Sequence, residues 1–182
     1  GLLPEAEAFK QSGIEPTLVD IVEIDAGLRR RLRATCFSYL HGTIFADITK
    51  VQPHELGETD VITITPPCQP FTTINHGLGM ADPRFAVIMA CVELVRDAVA
   101  LGYLKELKWI IIENASGWMH QGVGAAAREK LTRWWKTHML PLGWGDIIMK
   151  KVEATHLGSA QSRSRVFMFI ERTRLVQLGE WQ

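Results

Sequence analysis

Residues 61–71 read Val61-Ile62-Thr63-Ile64-Thr65-Pro66-Pro67-Cys68-Gln69-Pro70-Phe71. The β-branched run at 61–64 predicts a strand in a sheet interior, and the prolines end it because they cannot donate to a ladder. Cys68 then stands at the mouth of that strand, on a turn made stiff by proline on both sides. Reactive groups in open α/β sheets gather at the carboxyl ends of strands, so a thiol here is positioned for chemistry. The competing reading is a buried cysteine acting as a small hydrophobe. The proline and glutamine setting favours the positioned thiol.

Outward from this point, strands and helices alternate. Upstream, residues 4–12 read as a helix with proline in its first turn and Gly13 as the stop. Residues 17–24 (TLVDIVEI) alternate as a strand, 26–35 (AGLRRRLRAT) as a helix, and 43–46 as a short strand closed by Asp47. Downstream, 85–101 (FAVIMACVELVRDAVAL) is apolar around most of a helix and should be well buried. A continuous apolar strand at 109–112 ends in Glu113-Asn114, and 125–139 form another helix. Residues 147–152 and 166–170 read as strands with no helix between them. This order predicts an α/β fold whose sheet is mostly parallel, with an antiparallel hairpin at one edge.

The 182 residues are enough for one domain with a core and too few for two comfortable ones. Hydrophobic content is 47% and no apolar run approaches a membrane span, so no membrane partner is expected. Cys36, Cys68 and Cys91 match neither a disulfide framework nor a zinc pattern, and the six histidines show no ligand spacing. A reducing interior and no metal follow as expectations. Formal net charge is zero, but acids crowd the start (Glu5, Glu7, Glu15, Asp20, Glu23, Asp25) and Arg163, Arg165, Arg172 and Arg174 crowd the end. Such a basic region either holds a phosphate backbone or is a solvated surface. Arg29-Arg30-Arg31 leaves the same two readings open. Trp134-Trp135 on a helix reads as packing plus one exposed ring.

Glu23, Asp47, Cys68 and Glu113 thus sit at strand ends, joined by Gln161-Ser162-Arg163-Ser164-Arg165 entering the last strand. A thiol, carboxylates and arginines at neighbouring strand ends offer a nucleophile, a proton donor and anion clamps. An acid ending a strand before a helix can also accept both hydroxyls of a ribose.

The set PPCQPF (66–71), GLGMADPR (77–84), IIIENASGW (110–118) and the Gln-x-Arg-x-Arg run resembles the cytosine-5 DNA methyltransferases, in order and spacing, from about residue 20 to 170. The resemblance implies a Rossmann-like methyltransferase sheet and S-adenosyl-L-methionine as cofactor. It also implies a DNA substrate, with methyl transfer to carbon 5 of a flipped-out cytosine. Cys68 would be the nucleophile, Glu113 would hold ring nitrogen 3 and the exocyclic amine, and Arg165 would contact the base carbonyl and support the thiolate. Arg163 would order the loop and neighbouring phosphate. Glu23 and Ile24 would hold the ribose and adenine, Asp47 and Ile48 the adenine amine and face, and Pro67 and Val87 would line that pocket. Pro66, Gln69, Asn114 and Gln161 complete the substrate side. Residues 72–84, with Gly77 and Gly79, are the expected flap over the base.

The pattern departs from the family at Ala115, where valine is usual, and at Ala160, where proline is usual. Residues 1–182 are expected to form a single, monomeric catalytic domain, cut short at both ends relative to the family. Its expected setting is intracellular: cytoplasm for a bacterial or viral restriction–modification enzyme, nucleus for a eukaryotic one. Two alternatives stand beside the DNA reading. PPCQPFT is similar to the transfer-RNA-methylating branch, and a shortened relative could bind nucleic acid without turnover.

Overall fold

The computed structural model describes residues 4–17, 20–35, 41–72, 78–157 and 162–173. Cys36 and Gln161 therefore lie outside the described residues, as do 73–77 of the expected flap. Among the described residues, six strands and four α-helices follow in the expected order. They are α1 (Pro4–Gln11), β1 (Ile21–Val22), α2 (Ala26–Thr35), β2 (Ile44–Phe45), β3 (Val61–Ile64), α3 (Phe85–Ala100), β4 (Trp109–Ala115), α4 (Val123–His138), β5 (Ile148–Glu153) and β6 (Ser164–Glu171).

β1 and β2 form a parallel pair with Val22 opposite Phe45. The other strands form a second sheet in the order β3-β4-β6-β5. β3 and β4 are parallel with Ile64 opposite Ile112. β6 lies between β4 and β5 and runs against both, so the edge hairpin is present.

One boundary differs from the sequence reading in a way that matters. Apolarity ends at Ile112, but β4 continues through Glu113 and Asn114 to Ala115, because β6 keeps supplying backbone partners as far as Ala115 opposite Arg165. Glu113 is therefore held inside a strand, with the alternation of a pleat, and is not on a loop.

One face of the larger sheet carries the core. Ile110, Ile112, Val166, Met168 and Ile170 point to α3 and α4, where Ile88, Val92, Val95, Val99, Leu131 and Trp135 meet them. Burying each large apolar side chain is worth about 1.5–3 kcal/mol, which seats both helices. Trp135 is fully buried and satisfies its indole by donating to the Gly145 carbonyl at 2.9 Å, while Trp134 is only half-buried. The tryptophan pair is thus packing plus one partly open ring.

Candidate active site

The turn after β3 is built from its prolines. Pro66 is buried and Pro67 half-buried, and Cys68, also half-buried, begins a 3₁₀ turn over Gln69–Phe71. The Phe71 N–H closes the turn on the Cys68 carbonyl at 2.9 Å. Pro70 and Phe71 are buried, which pins the turn, while Gln69 stays exposed.

The anchor lies just past β4. The Phe71 carbonyl occupies the space that a side chain at residue 117 would need, so only Gly117 lets the two backbones meet. Phe71 also sets its ring edge-on to Trp118, centroids 4.3 Å apart. The Cys68 turn is therefore docked onto the end of the strand that carries Glu113. Gly117→Ala should lower stability by roughly 1–3 kcal/mol, the usual range for forced overpacking, because backbone must shift. A denaturant midpoint unchanged from the wild type would contradict this contact.

Glu113 and Arg165 sit on one face of the sheet as a diagonal pair across the β4–β6 ladder, since Glu113 is opposite Phe167 and Ala115 opposite Arg165. Arg165 Nε donates to Glu113 Oε1 at 2.8 Å, with about a quarter of each side chain exposed. Its Nη1 donates to the Ser164 carbonyl at 2.8 Å. Two donors of the guanidinium are thus committed to protein groups. Asn114 points to the other face, where it is buried. Its side-chain oxygen accepts from the Ala115 N–H at 2.8 Å, and its amide nitrogen has no partner among the described residues. Arg163 is exposed, two residues before Arg165. Cys68, Glu113 and Arg165 share one end of the sheet, because β6 enters antiparallel where β3 and β4 leave.

Four of the expected cofactor residues, Glu23, Ile24, Asp47 and Ile48, follow β1 and β2, whereas Pro67 follows β3 and Val87 is on α3. Glu23 follows β1, and its backbone N–H continues the pairing to the Phe45 carbonyl at 3.0 Å. One oxygen of its carboxylate accepts from the Asp25 N–H at 2.8 Å, and Arg29 ties down the Glu23 and Ile24 carbonyls at 2.7 Å each. Ile24 is left 78% exposed. Asp47 follows β2 and caps a 3₁₀ turn, one oxygen accepting from the hydroxyl and N–H of Thr49. These two hydrogen bonds, the hydroxyl first, hold the Asp47 carboxyl below its ordinary range, so it stays ionised at neutral pH. Ile48 beside it is half-buried, as is Val87 on α3.

Comparison with known proteins bears on all of this. The C-5 cytosine-specific DNA methylase family matches residues 9–178. The chain belongs to that family. Among curated relatives, the orphan methyltransferase M.SPRI of Bacillus phage SPR is 22% identical over 178 residues, which are 96% of this chain and 36% of that protein. The type II methyltransferase M.BsuFI of Bacillus subtilis is 26% identical over 120 residues, 66% of this chain and 26% of that one. The chain thus spans between about a quarter and about a third of the length of these relatives. Among solved structures, the S. pombe Dnmt2 methyltransferase superposes with a TM-score of 0.60 at 18% identity, covering 100% of this chain and 49% of its own. A putative DNA modification methyltransferase encoded in an E. coli prophage gives 0.60 at 20% identity, covering 85% and 40%. These likenesses establish the methyltransferase fold.

Two further features pack beside the Cys68 turn and were not read from the sequence. Gly117 is one. The other is the Asp82–Arg84 pair, hidden inside a segment taken as flap. Among the described residues no cluster of three or more His, Cys, Asp or Glu could hold a metal ion, and no helix is long and apolar enough to cross a membrane.

Proposed function

We propose that this chain carries the cofactor and base-binding part of a DNA (cytosine-5)-methyltransferase. The observation that carries the proposal is the Glu113–Arg165 pair at the sheet end where the Cys68 turn is docked. A thiol, a carboxyl and a guanidinium gathered there match the demands of one cytosine ring.

In this reading Cys68 adds as thiolate to carbon 6, forming a C–S bond, while Glu113 gives a proton to ring nitrogen 3. The ring becomes an enamine, and carbon 5 becomes nucleophilic. After carbon 5 is methylated, a base removes its proton and the C–S bond breaks, which restores the carbon 5–carbon 6 double bond. Cys68 leaves as thiolate, and nitrogen 3 returns its proton to Glu113. Arg165 holds Glu113 through its Nε and would meet the base carbonyl. A cytosine stacked in duplex cannot reach the sulfur, so the base is flipped out at a cost of a few kcal/mol.

The residues after β1 and β2 fit S-adenosyl-L-methionine. Two carboxylates end adjacent parallel strands, and each is followed by an isoleucine, one largely exposed and one half-buried. That set suits a ribose beside a purine: Glu23 would hold the hydroxyls, Asp47 the amine, and Ile24 and Ile48 the flat faces. Pro67 and Val87 would line the same pocket. When bound, the cofactor supplies an electrophilic sulfonium methyl.

Glu23→Ala should weaken binding of S-adenosylhomocysteine by roughly ten- to a hundredfold, as expected for a lost charge-assisted pair of about 1.5–3 kcal/mol. Calorimetry would read it, and unchanged affinity would remove Glu23 from the site. The function itself is tested by transfer of a labelled methyl group to DNA and, in parallel, to transfer RNA. Label in 5-methylcytosine of DNA supports the proposal. Label in RNA alone would keep the chemistry and overturn the polymer, and label in neither would overturn both.

A further inference from the structure

The contacts that hold the Cys68 turn converge on the first turns of α4. Gly117 and Trp118, which receive the Phe71 carbonyl and ring, lie on a 3₁₀ turn over Ser116–Met119. The His120 N–H closes that turn on the Gly117 carbonyl at 3.1 Å. Two residues of α4 seat it. A side chain at Gly124 would collide with the Trp118 and Gly117 carbonyls, so only glycine lets the helix backbone come so close. One turn on, Arg128 is half-buried, and its Nη1 donates to the Trp118 carbonyl and, at 3.1 Å, to the His120 carbonyl. A charged donor shared by two carbonyls fixes where their turn sits.

The other side of the Cys68 turn reaches the same helix. The 3₁₀ turn Gly79–Ala81 packs against Gln69–Phe71 and against α4. The corner after it is braced by Asp82, which is buried and so must be paired. Arg84 pairs with it, Nε donating to Oδ1 at 2.9 Å and Nη2 to Oδ2 at 2.6 Å. Phe85, the next residue, meets Phe71 edge-on with centroids 6.2 Å apart. Phe71 is thus held from both sides, and its own N–H closes the turn on the Cys68 carbonyl.

We propose that Arg128 and Gly124 are positioning residues for methyl transfer. They hold the Ser116–Met119 turn, that turn holds Phe71, and Phe71 holds the Cys68 turn. The proposal rests on the reading of Cys68 as the nucleophile. Glu113 is kept in place by the β4–β6 ladder, and Glu23 and Asp47 follow strands of the other sheet, so α4 acts on the sulfur's location. A reacting atom misplaced by about 1 Å can cost about a hundredfold in rate, so the clasp is felt in the chemistry.

The test is hydrogen exchange and methyl transfer measured on the same variants. The Phe71 N–H reports the seat of the Cys68 turn, and the Glu23 N–H, bonded to the Phe45 carbonyl, reports the cofactor end. Arg128→Met should speed exchange at Phe71 by roughly tenfold or more, the population shift from losing a hydrogen bond made by a charged group, and leave Glu23 unchanged. Its kcat should fall by roughly ten- to a hundredfold with S-adenosylhomocysteine affinity unchanged. Arg128→Lys keeps a charged donor for the two carbonyls and should recover much of both. Gly124→Ala should act in the same direction as Arg128→Met. Lys136→Met, which removes a cation from the exposed last turn of the same helix, should match the wild type. Unchanged exchange at Phe71, or faster exchange at Phe71 and Glu23 alike, would overturn the proposal. So would a wild-type kcat beside a loosened Phe71. A wild-type protein that transfers no methyl group would remove the reading of Cys68 and the proposal with it, while the exchange result would stand on its own.

Discussion

Cys68→Ser should abolish methyl transfer, by about 10⁴–10⁶-fold, the scale on which enzymes lose rate when a covalent nucleophile is removed. The size follows from what the thiolate supplies. Without a bond to carbon 6, carbon 5 remains part of an aromatic ring and is too weak a nucleophile to take the methyl group. A serine hydroxyl keeps the shape of the turn, since the backbone there is fixed by Pro66, Pro70, Phe71 and Gly117, but it is scarcely ionised at neutral pH. Cys91→Ser and Cys36→Ser should transfer at the wild-type rate. For Cys91 the reason is on α3: burial pushes its thiol up to about 11, so it is protonated and unreactive at neutral pH. Raising the pH toward 11 should bring Cys91 into reaction with iodoacetamide. Rapid alkylation of Cys91 at neutral pH would contradict its placement.

The second large effect belongs to Glu113. Glu113→Gln should lower methyl transfer by about 10²–10⁴-fold, the usual contribution of a positioned proton donor, and leave S-adenosylhomocysteine affinity unchanged. Glutamine retains an oxygen for Arg165 Nε, so the pair's shape survives. What it cannot do is give a proton to ring nitrogen 3. Glu113→Asp keeps the proton but draws the carboxyl back from the ring, and should fall between the two. A wild-type rate in Glu113→Gln would mean that the protonation step is assigned to the wrong side chain. Equal loss of rate and of cofactor affinity would point instead to a collapsed strand end.

Much of this was legible from residue order. Val61 to Ile64 followed by Thr65 and two prolines reads as a strand that stops, and stopping it there is what leaves Cys68 on a turn, only half-buried. The apolar helix at α3 and the helix-free gap between β5 and β6 placed the core and the edge hairpin. The limits are equally physical. Apolarity ended β4 at Ile112, whereas backbone pairing with β6 carries it to Ala115, because a ladder depends on partners and not on side chains. Gly117 looked like any glycine after a strand, since its reason is the Phe71 carbonyl, forty-six positions away in sequence. Asp82 and Arg84 were read only as the end of the expected flap, residues 72–84, that leads into α3. Only the fold shows that Asp82 is buried and held by a two-pronged pair with Arg84.

The account stands most directly on the identity of the atom that bonds to the base. DNA carrying 5-fluorocytosine blocks the final proton removal, so the C–S bond formed during methylation cannot break and the complex survives denaturation. Incubated with such DNA and S-adenosyl-L-methionine, then digested and mapped by mass spectrometry, the protein should carry the methylated base on Cys68 and nowhere else. A base mapped to another residue, or equal trapping by Cys68→Ser, would contradict it.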